Sequence, residues 1–430
     1  MKKEAYFQTV ADLVKRGPMD IPAEFISSEH VIYNSPASLA FNSPGAEGFG
    51  VKRAGLAVPG SVMLLIGPGC CGRNTTVLGE MSGYSDRFFF YMMDETDIVT
   101  GRHLKLIPRA IEEICETLTV KPSAVMICVT CADALLGTDM EQVCRRATKK
   151  VGLPVVPCYM YALTREGRKP PMVAVRRAVY SLLEKTKRRG DAVNILGYFS
   201  PLLDNCEIYA LLQQAGVKTV RELSRCVDFC AYKKMSEANF NLVLHPESRL
   251  AAQYMEEHLG IPGIELTRLY QIDKIHKQYM IFAKIIGTIL DDTSFRREAE
   301  EAVEAFLKKD GHISLAIGEM ANADPFELAL ALSKYGLHVE KIYGTVTAES
   351  FVYLRQLTVV APHIKVYSNL SPTMLYYKDD GDVGLTVGKD AAYYHPRAAH
   401  VFWTQEVQPF GYAGVTALFA CMERALEGGI

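Results

Sequence analysis

The sequence predicts an α/β protein of three Rossmann-like domains with parallel sheets, and three observations predict it. From about residue 60 onward, short apolar, β-branched runs alternate with amphipathic stretches, as repeated βαβ units require. Two charged stretches, 185–191 and 291–304, each lead into a fresh apolar run and read as domain breaks. The 430 residues also exceed what one hydrophobic core usually serves. The resulting division is an N-terminal helix over 1–30, then domains at 31–190, 191–300 and 301–430.

The opening stretch, MKKEAYFQTVADLVKRG, reads as an amphipathic helix that carries acidic residues and lacks the apolar run of a signal peptide. Parallel strands are expected at 61–67 (SVMLLIG), 124–130 (AVMICVT), 194–199 (NILGYF), 241–245 (NLVLH), 313–318 (ISLAIG) and 383–388 (VGLTVG). Helices are expected at 138–150, 207–214, 248–259, 325–335 and 414–426. In the last of these Val415, Leu418, Phe419 and Met422 recur at helical spacing, which is ordinary core packing.

Hydrophobic residues make up 49% and charged residues 22%, with a formal net charge of −2. Phosphate binding needs a clustered basic excess, and the one basic run, KTKRR at 185–189, reads as a solvated helix end. No segment reaches the roughly 18 consecutive apolar residues of a membrane span. The expectation is a cytoplasmic protein with no nucleic-acid and no membrane partner. In that reducing compartment the eleven cysteines are buried thiols or metal ligands rather than a disulfide framework. Cys115, Cys144, Cys158, Cys206 and Cys421 read as buried thiols. Cys226 and Cys230 stand four apart and could share a helix face, but no third or fourth ligand is near them.

Two cysteine loops carry the chemical signal. The first, 67–75 (GPGCCGRNT), directly follows SVMLLI, and the second, 129–139 (VTCADALLGTD), directly follows AVMIC. Ligands of open parallel sheets sit in the crevice beyond the carboxyl ends of the strands, so Cys71 and Cys131 can converge there. Helices that follow such loops point positive ends at the crevice, which favours thiolates and an anionic cluster. Cys128 and Cys131 differ by three along a strand-like run and so face opposite sides, which assigns Cys128 to the core. Gly67 to Gly72 also fits G-x-x-x-x-G, but Arg73 and Asn74 stand where a P-loop needs Lys and Ser/Thr. An ATP site is therefore not expected.

The run 94–106 (DETDIVTGRHLKL), followed by 129–143 (VTCADALLGTDMEQV), resembles the cluster-binding domain of nitrogenase component 1 and its relatives. Those relatives include the tetrapyrrole-reducing proteins of chlorophyll synthesis and of coenzyme F430 synthesis. The segments 241–266 (NLVLHPESRLAAQYMEEHLGIPGIEL) and 409–426 (PFGYAGVTALFACMERAL) resemble the family's middle domain and closing helix, so the resemblance covers most of the chain. By that resemblance Cys71 matches the cluster ligand of the GP-x-x-C loop, and Cys131 matches the second ligand. Cys70 stands where glycine is common; the doubled cysteine is similar to the coenzyme F430 reductase, and Cys70 is open between ligand, thiol beside the cluster and structural residue. The family's upstream cysteine is missing, with Asn34 or Ser35 in its place. His245-Pro246 stands where nitrogenase proper has His-Cys, and His400 lies near the family's C-terminal cofactor histidine. His245 and His400 are thus the candidate catalytic residues, and Ser248 and Lys389 the candidate cofactor- or substrate-binding ones, each of which can equally be structural or solvent-facing. Asp94, Glu95 and Asp97 are either partner-docking groups or helix caps.

The resemblance implies the catalytic component of a nitrogenase-like reductase. A 4Fe-4S or larger iron–sulfur cluster would bridge subunits at the Cys71/Cys131 crevice, and a second metallocluster is compatible with the cleft histidines. The partners implied are an ATP-hydrolysing iron-protein-like reductase and a second chain, as a homodimer or as a heterodimer or heterotetramer with a related component 1-like chain. The implied substrate is a small molecule. The alternative is a non-catalytic scaffold for metallocluster assembly, since one fold serves both roles. A plain nucleotide-binding protein with core cysteines is a third reading.

Overall fold

A computed structural model describes residues 4–25, 35–41, 55–69, 84–159 and 171–428. After a short strand β1 (Gln8–Thr9), a first sheet is built from β2 (Val62–Gly67), β3 (Phe88–Met92), β4 (Val125–Val129) and β5 (Val155–Tyr159), in the order β3-β2-β4-β5. A second comprises β6 (Ala192–Leu196), β7 (Thr219–Glu222), β8 (Phe240–Val243) and β9 (Gly263–Glu265), in the order β7-β6-β8-β9. The third holds β10 (Ser314–Gly318), β11 (His338–Tyr343), β12 (Lys365–Tyr367), β13 (Leu385–Val387) and β14 (Ala399–Val401), in the order β1-β12-β11-β10-β13-β14. Every pairing is parallel except that of β1 with β12. The expected α/β class with parallel sheets is the class the chain adopts.

The central strands are buried on both faces, which is why β2 and β4 read as uninterrupted apolar runs rather than alternating ones. The three sheets fall one in each of 31–190, 191–300 and 301–430, but the compact units number two. One unit (Pro44–Pro201 and Gly216–Thr267) contains the first two sheets, and the other (Met1–Ser43, Leu202–Ala215 and Arg268–Ile430) contains the third. In the first unit a single core joins both sheets: Met63, Leu65, Met126 and Cys128 pack with Leu196 and Val243 around Val175 and Val179 of the helix Pro171–Tyr180.

Two local expectations need correction. The N-terminal stretch is helical only over Val10–Arg16, where the Thr9 hydroxyl caps the Asp12 amide. Gln8 and Thr9 instead pair with Val366 and Lys365 at the edge of the third sheet, because that edge offers backbone partners that an isolated short helix lacks. The parity argument for Cys128 and Cys131 also fails as stated, since β4 ends at Val129 and Cys131 opens the helix Cys131–Leu136. Cys128 is nonetheless buried in the core. Asp94 is a cap: with Asp97 it forms a capping box on the helix Glu95–Thr100. Among the described residues no helix is long and apolar enough to cross a membrane.

In the second unit Glu327, on the helix Pro325–Tyr335, is fully buried. It accepts hydrogen bonds from the Tyr270 and Gln271 amides and from Gln271 Nε2, capping the helix Ile272–Ile286. Burial raises its carboxyl to about 7. The folded chain therefore keeps this proton where the unfolded chain has lost it, and stability falls as pH rises from the ordinary glutamate value toward 7. Urea unfolding should show this decline, on the order of 3 kcal/mol, flattened in Glu327→Gln.

Candidate functional site

The first sheet brings the two cysteine loops to one place. β2 and β4 are parallel neighbours in register from Val62↔Val125 to Ile66↔Val129, while β3 lies on the other side of β2. The chain thus leaves the ends of β2 and β4 in opposite directions, which opens a crevice beyond them. The loop after β2 carries Cys70, Cys71, Arg73 and Asn74, which lie outside the described residues, as does Asn34. The loop after β4 is a single residue, Thr130, before Cys131 begins its helix. Two buried polar atoms beside Cys131 have no partner among the described residues: Thr130 Oγ1 and Asp133 Oδ2. Asp133 Oδ1 meets His103 Nε2 at 3.1 Å and accepts from the Thr138 hydroxyl, while His103 Nδ1 donates to the Asp97 carbonyl. Burial raises the Asp133 carboxyl, outweighing His103 and Thr138, which pull it down.

This donor set fits an iron–sulfur cluster. Thiolates would come from Cys71 in the loop after β2 and from Cys131 at the start of the helix after β4, and the Thr130 hydroxyl, unpaired among the described residues, could donate to a sulfide or thiolate sulfur. Among the described residues no group of three or more His, Cys, Asp or Glu side chains is arranged to hold a metal ion, so the described part of the chain alone does not complete a ligand set. Ser35, at the position of the missing upstream cysteine, is buried, and its hydroxyl donates to Asn369 Oδ1. Cys226 and Cys230 do not form a site: Cys226 Sγ donates to the Glu222 carbonyl, and burial pushes its thiol up to about 11.

The second sheet repeats the topology. β6 and β8 are parallel neighbours up to Leu196↔Val243, with β7 on the far side of β6. Beyond their ends lie Gly197, Tyr198 and Phe199 on one strand and His245 to Ser248 on the other. A Cβ at Gly197 would stand 3.1 Å from His245 N and from Leu244 Cβ, so glycine lets the two turns close up. His245 Nδ1 accepts from the Glu247 amide at 3.3 Å, and the ring packs edge-on against Tyr198. Ser248 is buried, and its hydroxyl has no partner among the described residues.

Sequence reasoning missed Arg176. It is buried on the helix Pro171–Tyr180, donates to the Gly197 carbonyl and to Glu247 Oε2, and lies 4.5 Å from the Phe199 ring centroid with Nε unpaired. The available signal was position: Arg176 shares the buried face with Val175, Val179 and Tyr180, whereas Arg177 is exposed.

Lys389 and His400 belong to the other unit. There β10 pairs with β13 on one side and β11 on the other, so Gly388 and Lys389 emerge at a third crevice. Gly388 has φ +109, and a Cβ on it would meet Gly318 Cα at 3.0 Å. This close approach lets the buried Asp390 carboxylate accept from the Glu319 and Met320 amides and from Asn369 Nδ2. A phosphate bound at this strand end would need those same amides, so Asp390 opposes nucleotide binding here. Burial, then Glu319, raises the Asp390 carboxyl to about 6. Lys389 Nζ lies 5.8 Å from the Phe41 ring centroid. His400 sits on the edge strand β14 opposite Thr386, 3.0 Å from its hydroxyl, and lines a cavity of about 880 Å³ with Phe402, Cys421 and Arg424. The structure thus brings His245 and Ser248 together, and places Lys389 and His400 apart from them in sequence and in compact unit.

The model of the nitrogenase component 1 type oxidoreductases matches residues 47–350, well over half of the chain. The chain belongs to that family. Component 1 relatives include the nitrogenase iron-molybdenum cofactor biosynthesis protein NifE of Nostoc sp. strain PCC 7120, 26% identical over 256 residues, covering 55% of this chain and 52% of that one. NifE of Sinorhizobium fredii is 27% identical over 305 residues, covering 66% and 59%. The nitrogenase molybdenum-iron protein alpha chain of Methanosarcina barkeri is 26% identical over 216 residues, covering 49% and 39%. The chain spans about half the length of the curated relatives it matches. A solved structure described as nitrogenase Cp1 at pH 6.5 superposes with a TM-score of 0.70 over 97% of both chains at 15% identity, a likeness of fold.

Arg176 ties the two strand turns of the second sheet to a core helix, so Arg176→Met should cost about 2 kcal/mol in urea unfolding, the scale of a lost charged hydrogen bond. Arg177→Met, on the exposed face, should leave the midpoint unchanged.

Proposed function

We propose that this chain is a scaffold on which an iron–sulfur metallocluster is assembled or carried and from which it is released to another protein. The observation that carries the reading is the difference between two crevices of one compact unit. Cysteine loops flank the first crevice, whereas at the second the strand turns present His245-Pro246 and Gly197-Tyr198. Thiolates at the first suit a resident cluster. An imidazole with a serine hydroxyl, and no thiolate, suits cargo that must leave. The relatives, named in the main as cofactor biosynthesis proteins, support the same reading.

In this proposal Cys71 and Cys131 are ligands of a 4Fe-4S or larger cluster, with Cys70 a third thiol at the same loop. Two thiolates per chain are too few for a four-iron cluster, which favours a bridge between two chains related by a two-fold axis or between this chain and a related one. An ATP-hydrolysing iron protein would supply electrons, and the setting would be cytoplasmic. The second reading, a reductase acting on a small molecule, is favoured by the similarity to the molybdenum-iron protein alpha chain. In it His245, or separately His400, would serve as a proton donor, and Ser248, or separately Lys389, would bind substrate, each within its own unit.

Anaerobically purified full-length protein should contain iron and acid-labile sulfide, and Cys71→Ala and Cys131→Ala should each lose both. The loaded protein should activate a cofactor-free nitrogenase-type enzyme without ATP-dependent turnover of its own. His245→Ala should weaken retention of the transferable cargo while leaving the cysteine-bound iron in place. Full iron content in both cysteine variants would refute the cluster site. Steady ATP-dependent reduction of a small molecule by the chain and an iron protein would favour the reductase.

A further inference from the structure

The unit built on the third sheet contains a phenol–imidazole–carboxylate chain that neither reading above uses, with Tyr343 and His395 buried and Tyr377 and Asp379 half-buried. The hydroxyls of Tyr343 and Tyr377 lie 2.6 Å apart, and both reach His395 Nε2, at 2.7 and 3.1 Å. His395 Nδ1 donates to Asp379 Oδ1 at 2.8 Å, which fixes the tautomer with Nε2 as acceptor. Asp379 Oδ1 also accepts from the Gly381 amide, and Arg397 donates to Oδ2 on the other side. The neighbouring charges are paired among themselves: Lys341, buried in β11, binds Asp380 and Asp382.

The rings extend this chain toward solvent. Tyr394 stacks on Tyr343 and packs against Tyr377, each with centroids 4.8 Å apart, and Tyr367 stacks on Tyr343 at 5.5 Å. Tyr393 meets Tyr394 at 5.4 Å and is itself exposed. Phenylalanines would pack such a core without needing partners for buried hydroxyls. Here two phenols instead converge on one imidazole whose far side is already bonded to a carboxylate.

We propose that the Tyr343–Tyr377 pair is a one-electron, one-proton redox site, with His395 as proton acceptor and with Tyr394 and Tyr393 as the path of the electron to the surface. The phenol pair loses one electron to a one-electron oxidant, naturally of the class that ferrous iron and peroxide generate. Its proton moves to His395 Nε2, leaving a neutral tyrosyl radical and an imidazolium paired with Asp379. A thiol or another one-electron donor reverses the step by returning one electron, and the proton returns from His395. Burial pushes the Tyr343 phenol well above its usual range, so the electron cannot leave by prior ionisation and must leave with the proton. Burial also holds His395 below its usual value, which keeps Nε2 free to accept. The inference rests on one unit alone and is independent of whether the cysteine loops hold a cluster.

The test is flash photolysis of the full chain with a ruthenium tris-bipyridine sensitiser and an electron-accepting quencher, read by electron paramagnetic resonance. Wild type should give a long-lived tyrosyl signal. Tyr343→Phe/Tyr377→Phe, which preserves the ring packing, should abolish that component, and His395→Gln should slow its formation roughly a hundredfold, the scale of a lost general base. Tyr393→Phe should slow radical formation without lowering its lifetime. Circular dichroism identifies any variant that has failed to fold, and Tyr343→Phe alone then replaces the double variant. A long-lived signal undiminished in the phenylalanine variants, or formed as fast with His395→Gln as in wild type, would overturn the proposal.

Discussion

When two parallel strands lie side by side and the chain departs from their ends in opposite directions, the following loops cannot cover the space between them. The pairing of β2 with β4, with β3 on the far side, creates that space in the first sheet. Strand ends far apart in sequence are thereby made neighbours, because Ile66 and Val129 are partners in the ladder. Every property proposed for the cysteine loops depends on this register. Because strand side chains alternate faces, a slip of one residue in either strand would exchange its two buried faces and break the packing on both.

The second sheet has the same strand order and shares a core with the first. The helix Pro171–Tyr180 supplies Val175 and Val179 to that core and Arg176 to the turns that follow β6 and β8. The position of His245 and Ser248 is therefore set by buried contacts rather than by an exposed loop. The third sheet differs in detail: at its crevice Asp390 occupies the backbone amides that an anion would use.

The sequence made the central strands legible because burial on both faces leaves long apolar runs such as VMLLI and VMICV. Short edge strands were not legible: β7 (TVRE) and β9 (GIE) carry charged residues and lack an apolar run. The order of motifs identified the cysteine loops, but the register that joins them is a property of the folded sheet. Arg176 left only a positional signal, its place on the buried face beside Val175 and Val179, and its partners, the Gly197 carbonyl and Glu247, are brought to it only by the fold. The Tyr343–His395–Asp379 chain was hidden for another reason. Its members come from β11, a loop and the end of the helix Lys389–Tyr394, which lie together only in the fold.

The central claim is that sulfur from the loop after β4 ligates iron beside sulfur from the loop after β2. Mössbauer spectroscopy on iron-57-enriched, anaerobically prepared wild type and Cys131→Ser tests it at the level of the ligand. A cluster ligated at that position should show a subset of iron sites with a raised isomer shift in the serine variant, as oxygen replaces sulfur, or loss of the cluster. A fully loaded variant with a spectrum identical to wild type would contradict the account.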